Sequence, residues 1–224
     1  ASLADILRKD RTSWRGFAAF LIETEDADAV ASLAVDLDCM AFQIDPTHYL
    51  VIGNITEFPV GITILARAVD AAAEMDTLLA WLGEEPAQET QTETEEPLPP
   101  LSVLLVEDEM MTRRLVENFL NKHVSAVAVE NSRSAHANYA VHEPDIVFLD
   151  VHYMNDMHDG FDVLRNIMHY NPEAFVVMFS GDAAPCMRYR ALANGAQGFI
   201  PKPFDPADFV YYLHRAAAMK KIEA

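Results

Sequence analysis

Cysteine and glycine are scarce in this sequence, and both shortages narrow the classes of protein it can encode. Two cysteines occur in 224 residues, Cys39 and Cys186, and they are too far apart in sequence to resemble a metal-binding pair. A disulfide framework is not expected, and free thiols predict a reducing, cytoplasmic location. Among the eight glycines, Gly53 and Gly61 do not form a glycine-rich loop of the kind that cradles a phosphate.

Basic side chains and long apolar runs are also few. Sixteen Lys and Arg stand against 35 Asp and Glu, a formal net charge of -19, and such a chain repels the phosphates of nucleic acid. No uncharged apolar run approaches the roughly 20 residues that span a bilayer, and the charged opening segment contains no secretory core. The sequence therefore predicts a soluble, cytoplasmic protein with no nucleic-acid partner and no membrane partner.

The acidic residues are concentrated in the first 100 positions. Residues 1–100 hold 5 Lys and Arg against 19 Asp and Glu, a net charge of -14, whereas residues 101–224 carry -5. Residues 83–100 contain six Glu, three Thr and four Pro, the composition of an extended, solvated linker. We therefore predict a small domain at 1–82, an acidic linker at 83–100 and a second domain at 101–224.

The first segment has the pattern of a small α+β domain. After an opening helix, apolar runs and turn signals predict strand, helix, strand, strand and helix at residues 16–24, 27–38, 40–44, 49–55 and 59–82. No pattern in this segment indicates a chemistry. The Ala-rich last helix could form a homodimer seam or could simply cover the small sheet, and the sequence leaves both interpretations open.

The second segment alternates apolar runs with helical stretches. The runs are LSVLLV, AVAVE, DIVFLD, FVVMFS and GFIPKP. Strict alternation predicts a parallel sheet with helices on both faces, a doubly wound α/β fold. Ligands of such sheets bind outside the carboxyl ends of the strands, so the residues that follow each run form the candidate site.

Carboxylates, a hydroxyl and an ammonium group occupy those positions. Glu107 and Asp108 follow the first run, Asp150 ends the third, Ser180 ends the fourth, and Lys202 lies in the fifth. Closely spaced carboxylates repel one another and need a counterion, and oxygen ligands suit Mg²⁺. The set predicts phosphoryl transfer in which Asp150 attacks phosphorus, while Lys202 and Ser180 stabilise the phosphoryl oxygens.

The ordered motifs LLVEDE, FLD, FSG and FIPKPF, between Leu104 and Phe204, carry a family resemblance. With them, residues 101–224 resemble the receiver domain of two-component response regulators. The resemblance implies a flavodoxin-like, five-stranded sheet of strand order 2-1-3-4-5. It implies a signalling switch, rather than an enzyme, that accepts a phosphoryl group from a histidine kinase or phosphotransfer protein and acts on a downstream protein target.

The resemblance also implies a metal site. Asp150 would be the phosphoacceptor and a Mg²⁺ ligand, and Asp108 would bind Mg²⁺ directly. Glu107 would be an acidic partner that reaches the metal through water. The main-chain carbonyl of His152 would be the third protein ligand.

A switch follows from the same resemblance. Phe199 falls at the switch aromatic, which would fill the space left when Ser180 moves toward the phosphoryl group. The helix predicted at residues 183–196 would shift with it, and phosphorylation would create a new surface. The Lys202-Pro203 peptide bond would be cis. Arg113 and Arg114, on the first helix of this segment, are predicted to lie on a solvated face, with kinase docking as the alternative.

The loop after Asp150 departs from the family pattern. In family members the glycine lies eight positions after the phosphoacceptor, whereas in this chain Gly160 lies ten positions after Asp150. The longer loop is either a plain solvated connection or a source of polar groups that tune metal affinity or phosphoryl lifetime. The candidate groups are His152, Asp156, His158 and Asp159. His152 and Asp182, each two places beyond a site residue, are the predicted lifetime-tuning positions.

Two other functions compete with the signalling switch. Phosphohydrolases of the haloacid dehalogenase type also combine an aspartate nucleophile, Mg²⁺, a hydroxyl and a lysine. They require a second acid two residues after the nucleophile, where this chain has His152. A degenerate receiver that acts as a constitutive binding scaffold is the third candidate, and the presence of the full set of site residues disfavours it.

Overall fold

The computed structural model describes residues 2–15, 17–36, 39–55, 57–59, 61–68, 71, 74–83, 98–129, 132–151, 159–182 and 184–223. Two compact units divide the chain. The first consists of Ala1–Glu89 and Ala184–Arg190, and the second of Thr90–Ala183 and Ala191–Ala224. Residues 84–97, most of the predicted linker, lie outside the described residues, so the three-part domain division stays a prediction.

The first unit contains a four-stranded antiparallel sheet with helices. Its elements are α1 (Leu3–Lys9), a 3₁₀ turn (Arg11–Trp14), β1 (Ala18–Glu23), α2 (Ala27–Asp36), β2 (Met40–Gln43), β3 (His48–Gly53), β4 (Thr63–Ala68) and α3 (Met75–Trp81). The strand order is β2-β3-β1-β4. Alternate residues of β1 and β3, including Phe20, Ile22 and Val51, pack against Val30 and Leu33 of α2. Ala19, Leu50 and Ile52, which point to the opposite face, are buried as well, so the central strands β1 and β3 are covered on both faces.

The helix predicted at residues 59–82 is wrong over its first half. Residues Thr63–Ala68 form strand β4, which pairs antiparallel with β1, and only Met75–Trp81 is helical. Gly61 has φ +94°, a conformation that interrupts a helix and that L side chains rarely adopt. The apolar spacing that suggested a helix includes Leu65, which is exposed, so the pairing of β4 with β1 outweighed the local pattern.

The second unit is a parallel sheet flanked by helices. Its elements are β5 (Ser102–Val106), α4 (Met110–Leu120), β6 (Ser125–Val129), α5 (Ser132–His142), β7 (Ile146–Asp150), α6 (Gly160–Tyr170), β8 (Val176–Ser180), β9 (Gly198–Pro201) and α8 (Pro206–Glu223). Helix α7 (Pro185–Ala193) lies between β8 and β9 in sequence. The strand order β6-β5-β7-β8-β9, parallel throughout, confirms the predicted doubly wound order 2-1-3-4-5.

The core of the second unit explains why its central strands are continuous apolar runs. Every residue of β7 and β8 is buried, because helices cover both faces of a parallel sheet. On one face Phe148, Val177 and Phe179 pack against Phe209 and Leu213 of α8. Burial of these runs leaves polar groups only at the strand ends, which is where the candidate site forms.

Three smaller features of the fold concern the cysteines, one proline and the lengths of the helices. Cys39 and Cys186 form no disulfide, as predicted. The Lys202-Pro203 bond is cis, also as predicted. Among the residues that the structure describes, every helix is too short or too polar to cross a bilayer.

Candidate functional site

Three carboxylates meet at the carboxyl edge of the parallel sheet. Glu107 and Asp108 follow β5 directly, and Asp150 is the last residue of β7. The parallel pairing of Val106 with Leu149 brings these two strand ends side by side. The carboxylates offer ligand oxygens that all lie within 4.8 Å of one another. The sheet therefore brings together the acidic residues that the sequence singled out.

Lys202, after β9, contributes the counterion. Its Nζ lies 2.7 Å from Glu107 Oε2 and 3.1 Å from Asp150 Oδ1. The same ammonium lies 4.7 Å from the centroid of the Phe179 ring, and the Lys202 backbone N–H donates to the Ser180 carbonyl at 2.7 Å. Glu107 is fully buried and the Lys202 side chain is 22% exposed. The ammonium thus bridges two carboxylates that have little access to water.

Burial and mutual repulsion alter the acidity of this cluster. Burial raises the pKa of Glu107 to about 7, and the nearby Asp150 charge adds to the rise, while Lys202 opposes it. Burial also raises the pKa of Asp150 against the opposing effect of Lys202. Burial alone would lower the pKa of Lys202, but its hydrogen bond to Glu107 and the charge of Asp150 outweigh that effect and raise it.

These shifts predict that the metal-free protein loses stability between pH 5 and 7.5. Because the pKa of Glu107 is about 7 in the folded chain against 4.5 as its ordinary value, the folded state holds a proton that the unfolded state has released. The free energy of unfolding then falls as pH rises through this window, by roughly 2 kcal/mol. Urea unfolding at pH 5, 6 and 7.5 in EDTA measures the slope.

A matched variant isolates the contribution of Glu107 from the contributions of the other ionisable groups of the chain. Glu107→Gln is expected to flatten the pH dependence and to be more stable than the wild type at pH 7.5. Saturating Mg²⁺ should stabilise the wild type more at pH 7.5 than at pH 5, because ligand carboxylates must be ionised. Equal slopes for wild type and Glu107→Gln would contradict the prediction.

The donor set of the cluster fits a hard cation. Carboxylate oxygens are the ligands that Mg²⁺ takes in proteins, usually one or two of them together with water and phosphate oxygens. Glu107, Asp108 and Asp150 offer three such oxygens, and Asp108 is the least buried of the three. His152, the predicted source of a carbonyl ligand, lies outside the described residues.

Ser180 and Phe199 occupy the neighbouring strands. The ladder between β7 and β8 pairs Asp150 with Phe179, so Ser180 lies one residue further along the same edge. Ser180 is fully buried, and its Oγ accepts a hydrogen bond from the Asp182 N–H at 3.1 Å. Phe199 is buried in β9, opposite Met178. Asp182, a predicted lifetime-tuning position, is exposed beside this turn.

The backbone around Asp150 is held closely. The Val151 N–H donates to Asp150 Oδ1 at 2.9 Å, and the Gly160 N–H donates to the Val151 carbonyl at 2.8 Å. A Cβ at Gly160 would lie 2.1 Å from the Asp150 carbonyl oxygen, so only glycine allows this approach. Asp159, one of the four polar loop candidates, caps α6 by accepting from the Asp162 N–H at 3.0 Å. The other three lie outside the described residues.

Arg113 is a site residue that the sequence did not reveal. It was predicted to lie on a solvated helix face, but it is half-buried and its Nη1 donates to the carbonyls of Glu107 at 3.2 Å and Asp108 at 3.4 Å. The guanidinium therefore braces the loop that carries the two acidic residues. A basic residue one turn into the helix that follows an acidic pair is the signal that could have indicated it.

Comparisons with known proteins fall on the same segment. The family model for the response regulator receiver domain matches residues 103–214, half of the chain. The chain is 33% identical to the chemotaxis protein CheY of Thermotoga maritima over 117 residues, which cover 51% of this chain and 96% of CheY.

The chain is also similar to longer proteins, but it matches only one part of each of them. The nitrogen assimilation regulatory protein NtrX of Azorhizobium caulinodans is 33% identical over 115 residues, 51% of this chain and 25% of NtrX. The crystal structure of NtrX from Brucella abortus in complex with ADP matches with a TM-score of 0.51 and 30% identity, covering 56% of this chain and 29% of that one. The chain thus spans less than a third of NtrX.

Proposed function

The chain belongs to the response regulator receiver domain family, and we propose that it is a phosphorylation-dependent signalling switch. In this proposal Asp150 accepts a phosphoryl group from a histidine kinase or a phosphotransfer protein. The observation that carries it is the Lys202 ammonium, whose Nζ lies 2.7 Å from Glu107 Oε2 and 3.1 Å from Asp150 Oδ1. A cation held at this point stabilises the negative charge that a phosphoryl group adds there.

The transfer is a displacement at phosphorus. An Asp150 carboxylate oxygen attacks, an O–P bond forms, and the P–N bond of the donor phosphohistidine breaks. The leaving imidazole nitrogen keeps the electron pair of that bond and is protonated by solvent. Lys202 exchanges its contact with Asp150 Oδ1 for a phosphoryl oxygen, and the Ser180 hydroxyl donates to another. Water later attacks phosphorus, which releases phosphate and regenerates the carboxylate.

Asp108 and Asp150 would hold Mg²⁺ directly, with Glu107 acting through water and the His152 carbonyl as a further ligand. When bound, Mg²⁺ neutralises charge on the phosphoryl oxygens and orients the donor. The mutual approach of the three carboxylates within 4.8 Å supports this assignment. Arg113 fixes the loop that presents Glu107 and Asp108, which keeps the acidic groups in place before the metal binds.

The output of the switch would be a protein contact in the cytoplasm. A net charge of -19 supports a protein target rather than nucleic acid, and the absence of both nucleic-acid and membrane partners stays a prediction. The chain covers nearly all of the Thermotoga CheY but 25% of the Azorhizobium NtrX. Partners of the whole protein, including a homodimer through residues 1–82, are therefore proposals, as is its lack of enzymatic turnover.

Incubation of the full chain with acetyl phosphate and Mg²⁺ tests the proposal. Intact mass spectrometry is expected to show one phosphoryl group per chain, and EDTA is expected to prevent its addition. Repeated release of inorganic phosphate over many turnovers, without a phosphorylated chain, would indicate a phosphohydrolase. A chain that neither gains the group nor releases phosphate would indicate a constitutive scaffold.

A further inference from the structure

A buried arginine of helix α7 belongs to the first unit. Arg188 is 6% exposed, and its Nη1 donates a hydrogen bond to the Ser13 carbonyl oxygen. Its guanidinium carbon lies 4.6 Å from the centroid of the Phe17 ring, within the range of a cation–π interaction. An arginine this deeply buried is stable only with such partners, because an isolated buried charge is very costly.

The partners of Arg188 are themselves fixed. Ser13 is fully buried, and its hydroxyl donates to Asp10 Oδ2 at 2.5 Å. Asp10 is 1% exposed, so a buried carboxylate, a hydroxyl and a guanidinium lie in one polar cluster. Next to Arg188, the Tyr189 ring lies 5.0 Å from the ring of Phe42 on β2. Residues 184–190 are thus packed specifically within the first unit.

Ser180 and Arg188 are close in sequence, and hydrogen bonds form near both ends of the segment between them. Ser180 Oγ accepts from the Asp182 N–H at 3.1 Å. The Ala184 carbonyl then accepts from the N–H groups of Met187 at 3.0 Å and Arg188 at 3.2 Å, which begins α7. Seven residues therefore separate Ser180, whose hydroxyl would contact a phosphoryl group, from Arg188 with its buried guanidinium.

We propose that residues 184–190 are the output element of the switch and that their partner is the chain's own cluster of Asp10, Ser13 and Phe17. This inference rests on the proposed phosphorylation of Asp150. The arrangement in which Asp182 N–H bonds to Ser180 Oγ is the one in which Arg188 is buried. When Ser180 turns toward a phosphoryl group, that bond breaks, α7 shifts, and the contacts of Arg188 weaken because packed interiors tolerate little displacement.

Hydrogen–deuterium exchange on the full-length chain tests the inference. The wild type is compared with and without acetyl phosphate and Mg²⁺, and intact mass reports phosphorylation in the same samples. The peptide that carries Ser13 and Phe17 is expected to exchange about fivefold faster in the phosphorylated chain. Unchanged exchange in a phosphorylated chain overturns this inference alone, whereas a chain that gains no phosphoryl group overturns the proposed function as well.

The coupling must also act in the reverse direction, because linkage between two sites is reciprocal. The Arg188→Met variant lacks the contacts that favour the unphosphorylated arrangement. In Mg²⁺ this variant is therefore expected to bind beryllium trifluoride, a phosphoryl mimic, about fivefold more tightly than the wild type. Arg190→Met, an exposed position on the same helix, is the matched control and should bind like the wild type. Equal affinities for the two variants contradict the inference, and the exchange experiment decides it if Arg188→Met does not fold.

Discussion

Asp150→Asn is expected to abolish phosphorylation by acetyl phosphate, a loss of at least about a hundredfold, while the chain stays folded. An amide oxygen is a far weaker nucleophile than a carboxylate. Folding should survive, because Asn retains the shape of Asp and removes one of two repelling buried charges. Metal-free Asp150→Asn is accordingly expected to be at least as stable as the wild type at pH 7.5. Intact mass and urea unfolding measure the two effects.

Asp205→Asn is the matched control for this prediction. Asp205 is an exposed carboxylate three residues after Lys202, and it accepts a hydrogen bond from the Ala207 N–H rather than joining the acidic cluster. It should be phosphorylated like the wild type. Incorporation of phosphate into Asp150→Asn at the wild-type rate would place the acceptor on another side chain.

The second unit could be predicted from sequence because each local pattern agrees with the global fold. The runs that form β7 and β8 are wholly apolar, and a doubly wound sheet buries such strands on both faces. The same rule places polar groups at strand ends, so Glu107, Asp150 and Lys202 could be assigned to one site before any distance was known. In the structure the Lys202 ammonium contacts both carboxylates, which explains how two buried acidic groups can lie side by side.

The first unit was harder to predict because its sheet depends on pairing between distant residues. Residues Thr63–Ala68 carry spacing that suits a helix, yet they form β4 because the edge of β1 supplies hydrogen-bond partners. Local periodicity contains no information about that edge. Arg188 illustrates the same difficulty, since its burial depends on Ser13 and Phe17, more than 150 residues earlier in the chain.

The sequence indicated which side chains lie together in the candidate site, but it did not indicate the backbone contacts that hold them in place. Acidic residues at strand ends are visible in the sequence, whereas the bonds of Arg113 to the Glu107 and Asp108 carbonyls require the turn between β5 and α4 to be known. The close approach of Gly160 to the Asp150 carbonyl cannot be inferred from residue type either, because the two residues are ten positions apart and only the fold brings them together. Backbone contacts of this kind follow from the fold and not from residue type.

Lys202→Met is expected to reduce phosphorylation by about a hundredfold and to destabilise the metal-free chain by about 3 kcal/mol at pH 7.5. Methionine keeps the unbranched apolar stem of the side chain but leaves Glu107 and Asp150 buried without their cation. The loss should shrink at pH 5, where the raised pKa of Glu107 keeps that carboxyl protonated. Saturating Mg²⁺ should restore part of the stability, because the ion supplies positive charge to the same carboxylates.

Lys220→Met separates this effect from the general loss of a lysine. Lys220 Nζ lies 2.6 Å from Asp145 Oδ1, but its side chain is 52% exposed, so its removal should cost less than about 1 kcal/mol. The contrast between the two variants depends on burial, since both lysines are within hydrogen-bond distance of a carboxylate. If Lys202→Met were no less stable than Lys220→Met at pH 7.5 and were phosphorylated normally, the ammonium would not be the counterion of the site, and phosphoryl transfer at Asp150 would lose its electrostatic basis.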